Sequence, residues 1–231
     1  RIEREVYLMT NDGDIKKQWD VEEPYDVRRN NYPLILAGGD LIHLNYKGNI
    51  ARYDNNSSIV WKNENLGHHD AGYYNDTLVT FSRENVFSDK IGRLIQDDVI
   101  KQLDPDTGEY TGKNVSLYNV MVNDSNINIS ELYEENLLQG REVENGTIKS
   151  GQYRASNDSI KLFHANSITV LKKDYGGVFE KGNMLLSLRN IDKVVLLDWE
   201  DEEIVWSSEI DLDRQHHPTM TSDGNILIYD N

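Results

Sequence analysis

The residues best suited to chemistry in this sequence are three histidines, an asparagine and an arginine, spaced along the chain. They are His69, His164, Asn166, Arg189 and His216. A neutral imidazole nitrogen can attack a sulfuryl or phosphoryl group, and a second imidazole can move the proton of a phenol or alcohol. Arginine and amide side chains can bind the oxygens of such a group. The set therefore has the composition of a site for group transfer through a histidine.

Each of these side chains also has a purely structural interpretation, because a histidine ring can pack beside the backbone and most arginines lie at the surface. The pairs His68-His69, followed by Asp70, and His216-His217 are compatible with zinc or iron. Neighbouring residues on a strand point to opposite faces, so a pair does not easily share one ion. The spacing also matches no standard metal motif. We therefore favour a site without metal or cofactor, and we interpret His43, in the middle of a predicted strand, as structural.

Short apolar runs separated by turn signals recur along the chain and indicate the scaffold. One unit consists of an apolar strand, a strand ending in Asp, and the tripeptide Ile-Val-Trp, with turns between them. It occurs twice, with Trp61 and Trp206 in matching places, and parts of it occur twice more. The runs cover residues 34–44, 50–54, 58–61, 76–81, 99–104, 182–187, 193–198, 203–206 and 224–229. Repeats of four short strands, with a period of about 40–50 residues, are typical of a β-propeller. We expect an all-β chain of this class.

The three candidate histidines occupy similar places in this pattern. We expect His69, His164 and His216 each to lie just before the first strand of a blade. Equivalent positions in successive blades converge around the central channel of a propeller, so residues far apart in sequence would meet there. A single histidine would favour the structural interpretation, whereas three at equivalent places favour a site.

Residues 119–162 break the pattern, and we predict that they form an insertion between blades. Within it, residues 129–138 have helical spacing, with Ser130 as the predicted N-cap and Glu131 and Glu134 in the first turn. Long loops between blades often shape a site. Fewer than five complete repeats are present. We therefore expect residues 1–231 to form a single β-propeller domain or, as we favour, a fragment of one.

Charge and composition limit the partners. The net charge of −16 makes nucleic acid or an anionic membrane a poor partner, and no apolar run is long enough to span a bilayer. The absence of cysteine excludes disulfides and thiolate chemistry. Several Asn-X-Ser/Thr sequons favour an exported glycoprotein that is extracellular, at the cell surface or periplasmic. The sequon asparagines are Asn55, Asn56, Asn75, Asn114, Asn123, Asn128, Asn145 and Asn157.

Several blocks occur in an order that is characteristic in combination. They are His68-His69-Asp70, His164-Ala165-Asn166-Ser167-Ile168, Gly182-Asn183-Met184-Leu185-Leu186-Ser187-Leu188-Arg189, Ile204-Val205-Trp206, Gln215-His216, and Asp223-Gly224-Asn225-Ile226-Leu227-Ile228-Tyr229-Asp230-Asn231. Over roughly residues 35–231, the chain resembles the PAPS-independent arylsulfotransferase (aryl-sulfate sulfotransferase) family.

The resemblance implies a six-bladed β-propeller, typically exported, that is a sulfotransferase without a bound cofactor. Such an enzyme moves a sulfuryl group from a phenolic sulfate donor to a phenol acceptor by a ping-pong reaction through a sulfohistidine. It implies that His216 is the nucleophile, that His164, Asn166 and Arg189 hold the sulfuryl oxygens, and that His69 assists donor or acceptor. The chain departs from the family in an extra loop at residues 172–181. The alternative from another class is a non-catalytic extracellular propeller that binds partners or glycans or builds a surface assembly.

Overall fold

The computed structural model describes residues 5–21, 32–45, 48–64, 66–124, 127–138, 143–144, 147–148 and 159–231. Its regular structure is a series of antiparallel sheets with a few short helices, which confirms the all-β prediction. Within the described residues, no helix has the length and apolar character needed to cross a membrane.

The chain begins with a hairpin and a four-stranded sheet. The hairpin consists of β1 (Glu5–Met9) and β2 (Ile15–Asp20), and its turn contains Gly13, which has a φ of +90° that suits glycine. The first sheet is a meander of β3 (Tyr32–Ile35), β4 (Leu41–Leu44), β5 (Ile50–Tyr53) and β6 (Ile59–Asn63).

The second sheet is larger and carries the helices at its end. Its strands are β7 (His68–Tyr74), β8 (Thr77–Ser88), β9 (Arg93–Leu103) and β10 (Tyr110–Ser116), followed by helices α1 (Leu117–Asn123) and α2 (Ile129–Leu138). Strands β11 (Val143–Glu144) and β12 (Thr147–Ile148) form a small hairpin, and β13 (Ile160–Lys161) then pairs in parallel with β9.

The third sheet repeats the meander of the first. It comprises β14 (Ala165–Val170), β15 (Met184–Leu188), β16 (Lys193–Asp198) and β17 (Glu203–Ser207), with a 3₁₀ turn (Arg189–Ile191) after β15. The last pair is β18 (His216–Met220) and β19 (Ile226–Tyr229).

An aspartate at the end of the third strand of each four-stranded meander forms the same kind of turn. In each case Oδ1 accepts two backbone N–H groups of the residues that follow, at 2.7–3.1 Å. These residues are Asp54, Asp104 and Asp198. Aspartate favours such turns because its side chain replaces a backbone acceptor. The repeated Asp in the sequence is therefore a turn-forming residue.

The sheets follow one another in chain order, and their first strands pack side by side. Strand β3 contacts β7, β7 contacts β14, and β14 contacts β18. Two buried carboxylates of the second sheet accept backbone N–H groups of β14: Asp70 Oδ2 from Ile168 at 2.9 Å, and Asp98 Oδ2 from Ala165 at 2.8 Å. These bonds satisfy donors on the inner edge of the third sheet, which would otherwise be buried without a partner. The largest apolar core lies between the same two sheets and includes Phe81.

The structure confirms the helix predicted at 129–138 but changes its cap. The Asn128 side chain accepts a hydrogen bond from the Glu131 N–H at 3.3 Å, whereas the Ser130 hydroxyl donates to the Lys90 carbonyl. Of the predicted insertion, residues 125–126, 139–142, 145–146 and 149–158 lie outside the described residues.

The positions predicted for two histidines were wrong. His164 directly precedes β14, as expected, but His69 is the second residue of β7 and His216 is the first residue of β18. These strands lack the apolar alternation that identifies a strand. Gly72 in β7 is an example, since a Cβ there would lie 2.8 Å from Cγ2 of Val170 on the neighbouring sheet. Glycine occupies this position because the two sheets approach closely, and strand propensity does not explain it.

Candidate active site

His69 and His164 face each other where the second and third sheets meet. Their ring centroids are 4.9 Å apart, with ring planes at 72°. Both residues have left-handed backbone conformations, with φ of +62° for His69 and +50° for His164. Such conformations are strained for a residue with a side chain and concentrate at functional sites. The irregular first strands thus turn both imidazoles into one place.

A buried chain of polar side chains lies behind His69. Asp98 Oδ1 lies 3.2 Å from His68 Nε2, and His68 Nδ1 lies 2.8 Å from His69 Nδ1. The sequence prediction that adjacent histidines point to opposite faces was wrong here. The cause is a register irregularity between His68 and Ala71, together with the left-handed His69, which brings both rings to the same side.

Arg189 is held against His164 by the turn that ends β15. Its backbone N–H donates to the His164 carbonyl at 3.4 Å, and the Asn190 N–H donates to the Phe163 carbonyl at 2.8 Å. The Asn190 side chain also donates to the Lys161 carbonyl at 2.7 Å. Burial first, and then the positive charge of Arg189, lower the pKa of both His164 and His216. Arg189 is therefore close enough to act on both imidazoles.

Asn166 and Gln215 fix the segment that carries His216. Asn166 is buried on β14, and its Nδ2 donates to the Gln215 carbonyl at 2.9 Å. The Ser187 hydroxyl donates to the same carbonyl at 3.0 Å, and the Gln215 amide donates to the Lys193 carbonyl at 2.7 Å. The residue directly before His216 is therefore fully buried and bonded to three strands of the third sheet.

The His216 ring is oriented by the backbone and by Asn231. It hydrogen-bonds the Arg214 backbone, an interaction that raises its pKa but does not cancel the lowering caused by burial and Arg189. Nδ1 lies 3.4 Å from Asn231 Nδ2, and Asn231 Nδ2 donates to the Arg214 carbonyl at 2.5 Å. Asn231 thus lies against both this carbonyl and the imidazole. The adjacent His217 is exposed and stacks on Tyr32 instead.

The imidazoles at the centre of the site are neutral at physiological pH. Burial lowers the pKa of His69 to about 2, with further contributions from His68, His164 and Arg83. Burial lowers the pKa of His164 to about 3, and Asp98 opposes this only in part. Neutral imidazoles have the lone pairs that a nucleophile or a general base requires.

Two cations near His164 were missed from sequence. A small cleft is lined by Arg83, Gln96, Asp98, Lys161 and His164. Burial and the charge of Arg83 lower the pKa of Lys161. A signal for one of them existed, because Arg83 lies in β8, the second strand of its sheet, and Arg189 directly follows β15, the second strand of the third sheet. Lys161 comes from the short strand β13, which has no counterpart in the repeat.

The five predicted residues form a row rather than one cluster. His69 contacts His164, Arg189 lies near both His164 and His216, and Asn166 is bonded to the residue before His216. Within the described part of the chain, no ring contact or hydrogen bond joins His69 to His216. Across the same residues, no three histidine or acidic side chains are arranged to hold a metal ion. His43 is buried in the middle of β4 and lies outside this row, in agreement with its interpretation as a structural residue.

Comparison with known proteins defines the class. The arylsulfotransferase (ASST) family matches residues 48–231. The chain belongs to this family.

No curated protein matches the chain. Among solved structures, a protein of unknown function from Bacteroides caccae, determined at 1.35 Å resolution, is similar, with a TM-score of 0.54 and 11% identity. The match covers 97% of this chain and 61% of the other, so this chain spans less than two thirds of the length of its structural relative. This likeness shows a shared fold.

Proposed function

We propose that this chain is an arylsulfotransferase-like enzyme that transfers a sulfuryl group from a phenolic sulfate to a phenol. The observation that carries the proposal is the row of neutral imidazoles with Arg189 between His164 and His216, in a chain that belongs to the arylsulfotransferase family. A guanidinium at this place can bind the oxygens of a sulfuryl group while a neighbouring imidazole attacks the sulfur.

In the first half of the proposed reaction, the lone pair of His216 Nε2 forms a bond to sulfur. The bond between sulfur and the phenolic oxygen breaks, and the phenolate leaves with that electron pair. Arg189 and His164 hold the sulfuryl oxygens. Asn166 keeps one amide N–H on the Gln215 carbonyl, so this bond supports the nucleophile while its second N–H remains for the sulfuryl group.

In the second half, a phenol attacks the sulfohistidine. Its oxygen bonds to sulfur, the bond between nitrogen and sulfur breaks, and the electron pair returns to His216. His69 takes the phenolic proton and later releases it to solvent. Over a full cycle one proton moves from the acceptor to the released phenol, and no cofactor is consumed.

We also propose that the successive sheets are blades of a β-propeller. Support comes from the four-stranded meanders in chain order and from the contacts between their first strands. In this arrangement residues 1–231 form a propeller domain or part of one, and residues 119–162 form an insertion between blades. The site lies along the first strand of each sheet, and in a propeller these strands are the ones nearest to the central axis.

The test is a transfer assay on the full-length protein with 4-nitrophenyl sulfate as donor and a phenol as acceptor, followed by release of nitrophenolate. We expect turnover, and a burst of product without acceptor that leaves a sulfated His216 detectable by peptide mass spectrometry. His216→Ala should lower the rate at least about 10³-fold, since it removes the nucleophile. The matched control is His217→Ala, which changes the exposed neighbour and should retain activity. No turnover, or equal turnover in the His216 variant, contradicts the proposal.

A second candidate is an exported, non-catalytic surface propeller that binds partners or glycans or builds a surface assembly. The observation that favours export is that every sequon asparagine in the described part of the chain is exposed. These are Asn55, Asn56, Asn75, Asn114, Asn123 and Asn128, whereas Asn145 and Asn157 lie outside the described residues. Extracellular, cell-surface or periplasmic placement suits both candidates. The transfer assay separates them, because only the enzyme forms a sulfohistidine.

A further inference from the structure

We propose that Asp98 and His68 are positioning residues that fix the tautomer of His69, with its proton on Nδ1 and its lone pair on Nε2. This inference rests on the proposed function, in which His69 removes the proton of the acceptor phenol. It adds two buried side chains, from strands β7 and β9, to the machinery of the site.

The carboxylate of Asp98 sets the direction of the chain of bonds. Its side chain and that of His68 are 5% and 4% exposed. Burial alone would raise the pKa of Asp98, but contacts with His68 and the Ala165 N–H outweigh burial, so the pKa is lowered and the group is ionised. An ionised carboxylate only accepts hydrogen bonds. His68 Nε2 lies 3.2 Å from Asp98 Oδ1, at ion-pair distance but outside hydrogen-bond geometry. Attraction between the carboxylate and an N–H group therefore places the proton of this ring on Nε2.

His68 transmits this direction to His69. Burial lowers the pKa of His68 more than the nearby carboxylate raises it, so the ring is neutral and carries one proton, on Nε2. Its Nδ1 is then an acceptor. Because this atom lies 2.8 Å from His69 Nδ1, the His69 nitrogen must donate. His69 is also neutral, and its single proton is therefore on Nδ1.

The opposite arrangement is unfavourable at both ends. A proton on His68 Nδ1 would leave Nε2 without one, so two acceptors would face each other across the 3.2 Å gap to Asp98. A buried acceptor pair of this kind has repulsion between two lone pairs and no donor for either atom. The positive charge of Arg83 lowers the pKa of both rings and so disfavours a second proton on either.

The chemical consequence concerns the acceptor half of the reaction. The His69 Nε2 lone pair takes the phenolic proton while the phenol oxygen bonds to sulfur and the sulfohistidine bond breaks. The wrong tautomer has a proton at Nε2 and cannot accept one there. Holding an imidazole in the correct tautomer through a buried carboxylate is a known requirement for base catalysis.

The experiment reads the tautomers directly, by long-range ¹⁵N–¹H correlation spectra of full-length protein labelled with ¹⁵N-histidine. His69 signals are assigned with His69→Gln. We expect wild-type His69 protonated at Nδ1 and wild-type His68 protonated at Nε2. A doubly protonated His68, or a His69 protonated at Nε2, overturns the inference. The wild-type spectrum decides this without depending on whether a variant folds.

Two variants of His68 separate positioning from structure. The amide of His68→Asn can place an acceptor near the former Nδ1, so it should keep the His69 tautomer. His68→Gln can reach Asp98 but does not place its acceptor toward His69, so it should lose the tautomer. We expect His68→Gln to slow the acceptor half-reaction about 10²-fold, the contribution typical of a general base. The nitrophenolate burst should remain, since a nitrophenolate leaves without an acid. His43→Asn, a buried histidine outside the site, is the control.

The outcomes distinguish this inference from the proposed function. If wild-type protein shows no burst, the proposed function fails, while the spectrum still reports whether the tautomer is fixed. If the burst is present and His68→Gln keeps both the tautomer and the acceptor rate, the positioning role is wrong although the enzyme is real. Equal losses in His68→Gln and His68→Asn indicate a structural role and also overturn the inference.

Discussion

Asp70 is the buried carboxylate whose replacement gives the clearest measurable prediction. It is 1% exposed, and it accepts the Ala71 N–H at 2.7 Å and the Ile168 N–H at 2.9 Å. The Tyr32 hydroxyl bonds to it as well. Burial raises the pKa of Asp70 from 3.8 to about 7, even though these hydrogen bonds act in the opposite direction. The folded protein therefore holds this proton more tightly than the unfolded chain does.

The sign of the pH dependence follows from this difference. The stability that Asp70 contributes is fully present below pH 3.8 and is lost as the pH rises to about 7. The loss is about 1.4 kcal/mol for each pH unit up to the folded pKa of about 7. It is therefore about 3 kcal/mol between pH 5 and pH 8, nearly all of it below pH 7. Asp70→Asn has no proton to lose. We predict that the wild-type protein loses about 3 kcal/mol of unfolding free energy relative to Asp70→Asn over this range.

The assay is urea unfolding followed by tryptophan fluorescence at pH 5, 6, 7 and 8 for both proteins. Taking the difference cancels the other titrating groups, including Asp97, whose pKa burial also raises to about 7. The matched control is Asp201→Asn, which makes the same substitution at an exposed turn carboxylate and leaves the buried one in place. A difference between wild type and Asp70→Asn that does not vary with pH would refute the reasoning.

Three further predictions test other features. Gly72→Ala should lower the free energy of unfolding by about 1–3 kcal/mol, because the new Cβ would lie 2.8 Å from Val170. Urea unfolding should show that Val170→Ala partly restores this loss. Gly38→Ala, where the space is open, should have little effect. Arg83→Gln should raise the KM for 4-nitrophenyl sulfate about fivefold, since it removes about 1 kcal/mol of attraction for an anion, whereas Arg93→Gln should leave KM unchanged. Finally, protein secreted by a eukaryotic host should migrate faster after removal of N-linked glycans, and unchanged migration contradicts glycosylation of the exposed sequons.

The repeating part of the fold could be predicted because the same residue pattern occurs several times in the sequence. The Asp that ends the third strand of a sheet recurs at Asp54, Asp104 and Asp198, and it forms the same turn each time. The helix at 129–138 was also predictable from its spacing alone. Such local signals depend on residues that are close in sequence, and a single chain shows them directly.

The inner strands and the support of the site could not be predicted in the same way. Strand β7 is polar and contains Gly72, because its environment is the neighbouring sheet rather than its own sequence. The role of Asp98 depends on His68 and Ala165, which lie 30 residues before it and 67 after it. The sequence identified the chemical groups at the site, while their protonation states depend on burial that only the assembled sheets create.

Asp98 joins these two aspects of the molecule, since one oxygen holds the third sheet and the other faces His68. Its Oδ2 accepts the Ala165 N–H, next to His164, and its Oδ1 orients the ring that leads to His69. The same carboxylate therefore contacts the residue next to His164 and the ring that leads to His69. A substitution of Asp98 would consequently change both the packing of the third sheet on the second and the tautomer of His69. The two effects are separable at His68, whose contacts within the described part of the chain are with Asp98, His69 and Phe81 of the second sheet. Variants there report on chemistry with the contact between Asp98 and the third sheet intact.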